Sequence, residues 1–238
     1  MAKRKWEQIA DTLRQQIVTG KLEPGQELPT NLELMKKFEV HAATVQQAVN
    51  VLISEGLIVS SGSSSNRRTV YKPPERSIRS CGFLTEAGDH RKQEILELKI
   101  LDSNNQIPET VKEQINAPTL YFRTRQYKNG VPVAVSQSYL PGILPLKDFQ
   151  KELSKPSVEL YTLMKKHGFN PKTCRESLIA SPATKDDQEL LLMPRHTSWP
   201  VVRITRLVYD PDGNLLEYCL LVDRADCYEF VYEFTLNI

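Results

Sequence analysis

The chain has 238 residues, 25% charged and 40% apolar, with a formal net charge of +2; this is the balance of a globular protein of one large or two small domains. No apolar run reaches bilayer length, and the basic start MAKRKW lacks the apolar stretch of a signal peptide, so the expectation is a cytoplasmic protein that makes no membrane contact. Cys81, Cys174, Cys219 and Cys227, like the four histidines, show no CxxC pair and no metal-ligand spacing, which argues for reduced thiols, against a metal site and for no cofactor.

Residues 1–71 carry nine Lys/Arg against seven Asp/Glu, and 72–238 carry 22 of each, so only the first third is mildly basic. Trp6, Ile9, Ala10, Leu13 and Ile17 form the apolar stripe of a first helix that ends at Gly20. A Pro-Gly turn follows in Lys21–Pro29. Thr30-Asn31-Leu32-Glu33 then reads as a capping box opening a second helix, whose buried side is Leu34, Met35 and Phe38. After a tight Glu39-Val40 turn, Val45, Ala48, Val49, Leu52 and Ile53 repeat at helical spacing from His41 to a stop at Gly56. The opposite face, Ala42, Ala43, Thr44, Gln46, Gln47 and Asn50, is small or amide-bearing and uncharged, and amides match the N6/N7 edge of adenine. Leu57–Val59 and Thr69–Tyr71 are β-prone runs around the polar tip Ser60–Arg68. Helix, turn, helix and hairpin in this order describe a winged helix.

Residues 6–71, with IADTLRQQIVTGKLEPGQELPT, FEVHAATVQQAV and LISEGLIV in frame, resemble the DNA-binding domain of the GntR family of bacterial transcription regulators. The resemblance implies DNA contacts at Thr30, Asn31, His41, Ala42, Thr44, Gln46, Gln47, Arg67 and Arg68. Several positions depart from the family pattern. Arginines common in the family are replaced at Leu32, Ala42 and Gln46, and the wing's Gly-Arg-Gly is Asn66-Arg67-Arg68. Lost arginines weaken guanine reading and phosphate anchoring.

Lys72-Pro73-Pro74-Glu75-Arg76 reads as a linker, giving domains 1–72 and 78–238 with 73–77 between them. Beyond it, Glu94–Leu101 alternates and Glu109–Ile115 is a short helix. Leu120–Lys128 and Val131–Leu140 flank the hairpin signal Asn129-Gly130. Ser157 is a candidate cap for a helix bearing Leu160, Leu163 and Met164, and Thr184–Met193 forms another helix. Val201–Tyr209 and Leu215–Val222 flank Asp210-Pro211-Asp212-Gly213, and Glu229–Leu236 reads as a last strand. Hairpins with helices between them describe an α+β domain.

NGVPVAVSQSYLP, VVRITRLVYDPDGNLLEY and DRADCYEF resemble the ligand-sensing UTRA domain of the HutC subfamily, whose fold is like that of chorismate lyase. The resemblance implies a homodimer that binds double-stranded operator DNA as a repressor. Its effector is expected to be a small molecule, such as a phosphorylated sugar or amino sugar. Implied effector residues are Thr85, Arg123, Arg125, Ser136, Glu217 and Arg224. The strand register stays open. An ungapped count brings Thr124 and Gln126 to the family's arginine positions, while a β-bulge restores Arg123 and Arg125. For Glu217 and Arg224 a structural ion pair is the competing reading, and Tyr139 and Tyr218 read as core or rim aromatics. Two other functions stay in view: a ligand-binding protein with decayed DNA recognition, and a chorismate-lyase-like enzyme. The latter lacks a Ser-His-Asp set, a metal cluster and a phosphate-cradling loop in the sequence.

Overall fold

Val45, Ala48, Val49 and Leu52 are fully buried on one face of helix α3 (Ala42–Ser54), and the first unit is built on that stripe. The structure is a computed structural model, which describes residues 3–60, 68–72, 76–79, 91–155, 158–193, 199–233 and 235. Helix α1 (Lys5–Val18) adds Ile9, Ala10 and Leu13 to the core, with Trp6 and Ile17 packed against them. Helix α2 (Asn31–Phe38) adds Leu34, with Met35 and Phe38 at its margin. Each such side chain stabilises by about 1.5–3 kcal/mol on full burial. The predicted capping box is present: the Thr30 hydroxyl accepts from the Glu33 amide at 3.3 Å, and the Glu33 carboxylate accepts from the Thr30 amide at 2.7 Å. Gly56 has φ +72°, the left-handed conformation that ends α3 without strain.

Strands β1 (Ile58–Ser60) and β2 (Arg68–Val70) pair antiparallel with Ile58 opposite Val70, as the base of a wing. The Gly25–Leu28 segment joins its edge: the Gly25 amide donates to the Val70 carbonyl and the Leu28 amide to the Arg68 carbonyl. The chain divides into two compact units, Met1–Pro74 with Met193–Trp199, and Glu75–Leu192 with Pro200–Ile238. Local sequence pattern gave no sign that Trp199 belongs with the first unit. Its ring meets Tyr71 edge-on, with centroids 4.6 Å apart.

The second unit contains strands β3 (Ser77–Arg79), β4 (Arg91–Leu101), β5 (Thr119–Lys128), β6 (Val131–Pro141), β7 (Thr173–Pro182), β8 (Pro200–Tyr209), β9 (Leu215–Arg224) and β10 (Tyr228–Phe230). Its helices are α4 (Glu109–Lys112), α5 (Leu146–Leu153), α6 (Leu160–Lys166) and α7 (Lys185–Leu190). Six strands form one antiparallel sheet in the order β4-β5-β6-β9-β8-β7, and β3 pairs parallel with β10. Asn129 and Gly130, at φ 49° and 77°, make the expected tight hairpin between β5 and β6. Helices α5 and α6 cover one face of the sheet through Phe149, Leu153, Leu163 and Met164, packed on Leu120, Phe122 and Leu140. The 102–117 segment covers part of the other face, with Ile107, Val111 and Ile115 against Tyr121, Tyr139 and Tyr218.

Three sequence expectations change. Helix α4 stops at Lys112, and the last strand is Tyr228–Phe230, with no regular structure from Val231 to Glu233. Ser77, expected in the linker, already pairs with Tyr228. Strand β7 and helix α5 carried too little pattern to be read. Strand β7 is a largely exposed edge, and α5 buries only Leu146, Phe149 and Leu153. The Ser157 cap lies outside the described residues.

Both tryptophans, Trp6 and Trp199, belong to the first unit, so indole fluorescence reports its unfolding selectively. Leu52→Ala is expected to lower the stability of that unit by about 2–5 kcal/mol in a urea titration followed by tryptophan emission.

Candidate functional site

On the first unit, the uncharged face of α3 is open. His41, Ala42, Gln46, Gln47 and Asn50 are exposed and Thr44 is half-buried. His41 is the N-cap residue of α3, in extended backbone, and its side chain makes no capping bond. The Thr30 hydroxyl is engaged in its own cap, donating to the Glu33 carboxylate at 2.9 Å. Arg68, expected on the flexible tip, stands instead in β2 and is only 9% exposed. Its guanidinium donates to Asn31 Oδ1 at 2.5 Å and to Gln46 Oε1 at 3.0 Å. Gln46 Nε2 in turn donates to Asn50 Oδ1 at 2.8 Å. Burial pulls the Arg68 pKa below the ordinary arginine value, and among the described residues no carboxylate offsets it. Arg67 lies outside the described residues.

On the second unit, register decides which residues meet. Side chains directly opposite each other on paired strands share a face. Thr124 pairs with Ser136, Ser136 with Leu221, Ser138 with Cys219, Cys219 with Arg206, and Arg206 with Glu176. These residues, with Glu217 and Asp223 on β9, lie on the face that α5 and α6 cover. The pairing of β5 with β6 is unbroken from Thr119 to Gln126, and the bulge falls beyond it, between Gln126 and Tyr127. Thr124 and Gln126 are therefore on the Ser136 side, and the bulge does not bring Arg123 and Arg125 there. Arg123 turns to the opposite face, where it donates to the Tyr121 hydroxyl at 2.8 Å, and Arg125 reaches Glu94 at 3.3 Å.

Glu217, 3% exposed, accepts from the Ser138 hydroxyl at 2.5 Å and from the Tyr161 hydroxyl of α6 at 2.6 Å. Ser136 shares a 2.7 Å hydroxyl–hydroxyl bond with Thr124. Arg206 Nε donates to Glu176 at 2.7 Å; Arg79, entering from β3, donates to the same carboxylate at 3.0 Å and also pairs with Asp223. Burial raises the Tyr161 phenol well above its usual value, and the adjacent Glu217 charge adds to this. Burial opposes the Arg206 charge, but Tyr161, Cys219, Glu217 and Glu176 together outweigh it and raise its pKa.

One reading of this site is corrected. Glu217 and Arg224 do not pair with each other. The ladder from Val208–Glu217 to Val201–Arg224 is unbroken, so side chains seven residues apart point to opposite faces. Arg224 pairs with Asp226 at 2.7 Å and donates to the Pro132 carbonyl. Tyr161, Ser138, Arg206, Glu176, Arg79 and Asp223 were not read as site residues. Ser138 was legible, two places from Ser136 on one strand, whereas Arg79 and Tyr161 arrive from distant elements that no local pattern marks. Thr85 lies outside the described residues. Among the described residues no group of His, Cys, Asp and Glu is arranged to hold a metal. No described helix is long and apolar enough to cross a membrane.

Residues 5–66 match the family described as bacterial regulatory proteins, gntR family, and residues 86–229 match the UTRA domain, which alone spans more than half of the chain. The chain belongs to the GntR family, in its UTRA-bearing branch. This GntR regulator is 25% identical to the transcriptional repressor NagR of Bacillus subtilis, over 94% of this chain and 92% of that protein. It is 22% identical to MngR, the mannosyl-D-glycerate transport/metabolism system repressor of Escherichia coli, over 94% and 93%. Among solved structures, PhnF of Mycobacterium smegmatis shares its fold at a TM-score of 0.57 and 20% identity, covering 96% of this chain and 99% of that one. As a GntR regulator with a UTRA domain, the protein is a DNA-binding transcription regulator controlled by a small-molecule effector bound in its second domain. The family is one of regulators rather than enzymes.

The Glu176 carboxylate joins two buried guanidinium groups, so its loss strips both of a counter-charge at once. Glu176→Ala is expected to destabilise the second unit by up to about 3–5 kcal/mol, with Glu176→Gln milder because the amide oxygen still accepts. Differential scanning calorimetry of the full chain checks this.

Proposed function

We propose that this GntR regulator is a cytoplasmic repressor that binds its operator as a homodimer, with no catalytic role, through domains taken as 1–72 and 78–238. The exposed face of α3, with Thr44, Gln46 and Gln47, would read base edges in the major groove, and the wing would hold the backbone. The observation that carries this reading is an exposed helix face of amides and small residues with no acidic side chain, where a helix facing only water ordinarily mixes Lys and Glu. Release would follow from effector binding that favours one arrangement of the dimer, with a typical coupling of about 1–3 kcal/mol.

For the effector, we infer a ligand rich in hydroxyl or amine donors and without a phosphate: a neutral sugar or an amino sugar. Support comes from Glu217, bonded to Ser138 on the same sheet face as the Ser136–Thr124 hydroxyl pair, while Arg123 and Arg125 face away. The sugar derivative in the name of MngR carries a carboxylate rather than a phosphate and supports only the sugar part of this reading. Arg206 and Arg79 are engaged by Glu176 and Asp223, which leaves less positive charge for a phosphate than a bidentate site needs.

Selection of bound sites from random DNA should return a half-site containing adenine opposite the α3 amides; guanine-rich half-sites would undo the face assignment. A thermal-shift screen of sugars, amino sugars and their phosphates should favour the unphosphorylated compounds. Glu217→Gln is expected to abolish the ligand-induced shift and operator release while leaving operator affinity within about twofold of wild type, as expected for well-separated sites. Loss of operator binding in that variant would instead make Glu217 a structural residue.

A further inference from the structure

Arg68 is a buried cation whose partners are two neutral amide oxygens, Asn31 Oδ1 on α2 and Gln46 Oε1 on α3. An arginine side chain only donates, so whatever oxygen it meets is fixed in place. The Gln46 amide is held from both ends, its oxygen toward β2 and its nitrogen toward Asn50, with separations of 3.0 and 2.8 Å. A carboxamide has two acceptor lone pairs and two N–H donors. The observed bonds use one of each and leave one of each on an exposed side chain. That remainder is what the N6–H donor and N7 acceptor of one adenine require. An unrestrained glutamine rotates its amide by half a turn at little cost and offers the two groups in either order. A clamped one offers a single order, which distinguishes A·T from T·A at the same step.

We propose that Arg68 is a positioning residue for sequence reading, fixing from beneath the recognition helix the direction in which Gln46 presents its amide to the operator. It is too buried to follow the bases itself and acts through the side chain above it. With no carboxylate on Arg68 among the described residues, the guanidinium also keeps its charge for the phosphates that approach this face. Base reading and anchoring thus meet in one residue, but they separate under substitution. The proposal rests on the reading of α3 as the DNA-contacting helix.

The test is the base preference of the selected half-site, measured by competition with duplexes carrying each of the four bases at every position. Wild type, Arg68→Ala, Arg68→Lys, Gln46→Ala and the Arg68→Ala/Gln46→Ala double variant are compared, with tryptophan emission confirming that each first unit is folded. Arg68→Ala and Gln46→Ala should each erase preference at the same position by about 5- to 100-fold, the range of one bidentate base contact. The double variant should lose no more than either single one. Arg68→Lys keeps the charge but not the planar fork, so it should lose the preference while its salt dependence stays near wild type. An even loss of affinity for all duplexes with preferences intact, or additive losses in the double variant, overturns the proposal and leaves Arg68 an electrostatic anchor. If Arg68→Ala unfolds the unit, the Arg68→Lys profile decides alone. A wild-type protein that selects no DNA sequence would instead remove the reading of α3, and the proposal with it.

Discussion

Successive side chains on a strand point to opposite faces of the sheet, and that alternation decides which polar residues of the second unit can act together. With β5, β6, β9, β8 and β7 in unbroken antiparallel register through their centres, parity assigns their central side chains, and only β4 is bulged at mid-strand, between Ile95 and Glu97. Thr124, Ser136, Ser138, Cys219, Glu217, Arg206, Glu176 and Asp223 fall on one side, and Arg123, Arg125, Tyr121, Tyr139 and Tyr218 on the other. A bulge at Gln126/Tyr127 and another at Val208/Tyr209 lie close to the hairpin turns, where they shift few residues. The second lets Leu216 join the core under α5 and α6 while Glu217 bonds Tyr161 of α6, so adjacent residues serve the same face. An acidic group is thereby seated at the edge of an apolar core, where its two hydroxyl partners satisfy it.

Most of the fold was legible because its strongest signals are local. The Thr30–Glu33 cap, the α3 stripe ending at Gly56 and the Asn129-Gly130 turn are each set by a few neighbouring residues, and each stands where the pattern put it. What escaped depends on distant partners. Strand β3 exists because Ser77–Arg79 pairs with Tyr228–Phe230, about 150 residues away, and β7 is an edge whose exposed residues carry no alternation. The site was less legible than the fold, for two reasons. Glu217 and Arg224 lie seven residues apart along β9, an odd spacing that sends their side chains to opposite faces. And motif matching at Arg123 and Arg125 follows residue type, whereas the sheet follows count.

The buried ion pairs of the second unit serve arrangement more than stability. Taking two guanidinium groups and two carboxylates out of water costs several kcal/mol per ion, which their attraction roughly offsets. What they provide is direction. Arg79 ties the short β3 strand to β9 through Asp223 and to β7 through Glu176, while its guanidinium lies 5.9 Å from the centre of the Phe230 ring. The β3–β10 ribbon is thereby held over one end of the sheet, where Phe230 packs on Ile204, Cys219 and Leu221. An apolar contact alone would allow the ribbon to slide; a forked cation bonded to two strands does not.

The two units treat a buried guanidinium in opposite ways, and the difference follows what each must meet. In the second unit Arg79 and Arg206 are matched by Asp223 and Glu176, so the site presents Glu217 and a row of hydroxyls rather than open positive charge. In general, a carboxylate flanked by hydroxyls accepts hydrogen bonds and repels a further negative charge. In the first unit Arg68 is matched by amide oxygens alone, so the field of its charge is reduced by no carboxylate among the described residues. A polyanion supplies the compensation that the protein withholds. Two departures from the family pattern are therefore linked by geometry. Gln46, where the resemblance implies an arginine, is met by Arg68 arriving from β2, where the resemblance implies a glycine, and the glutamine becomes the group that this arginine holds.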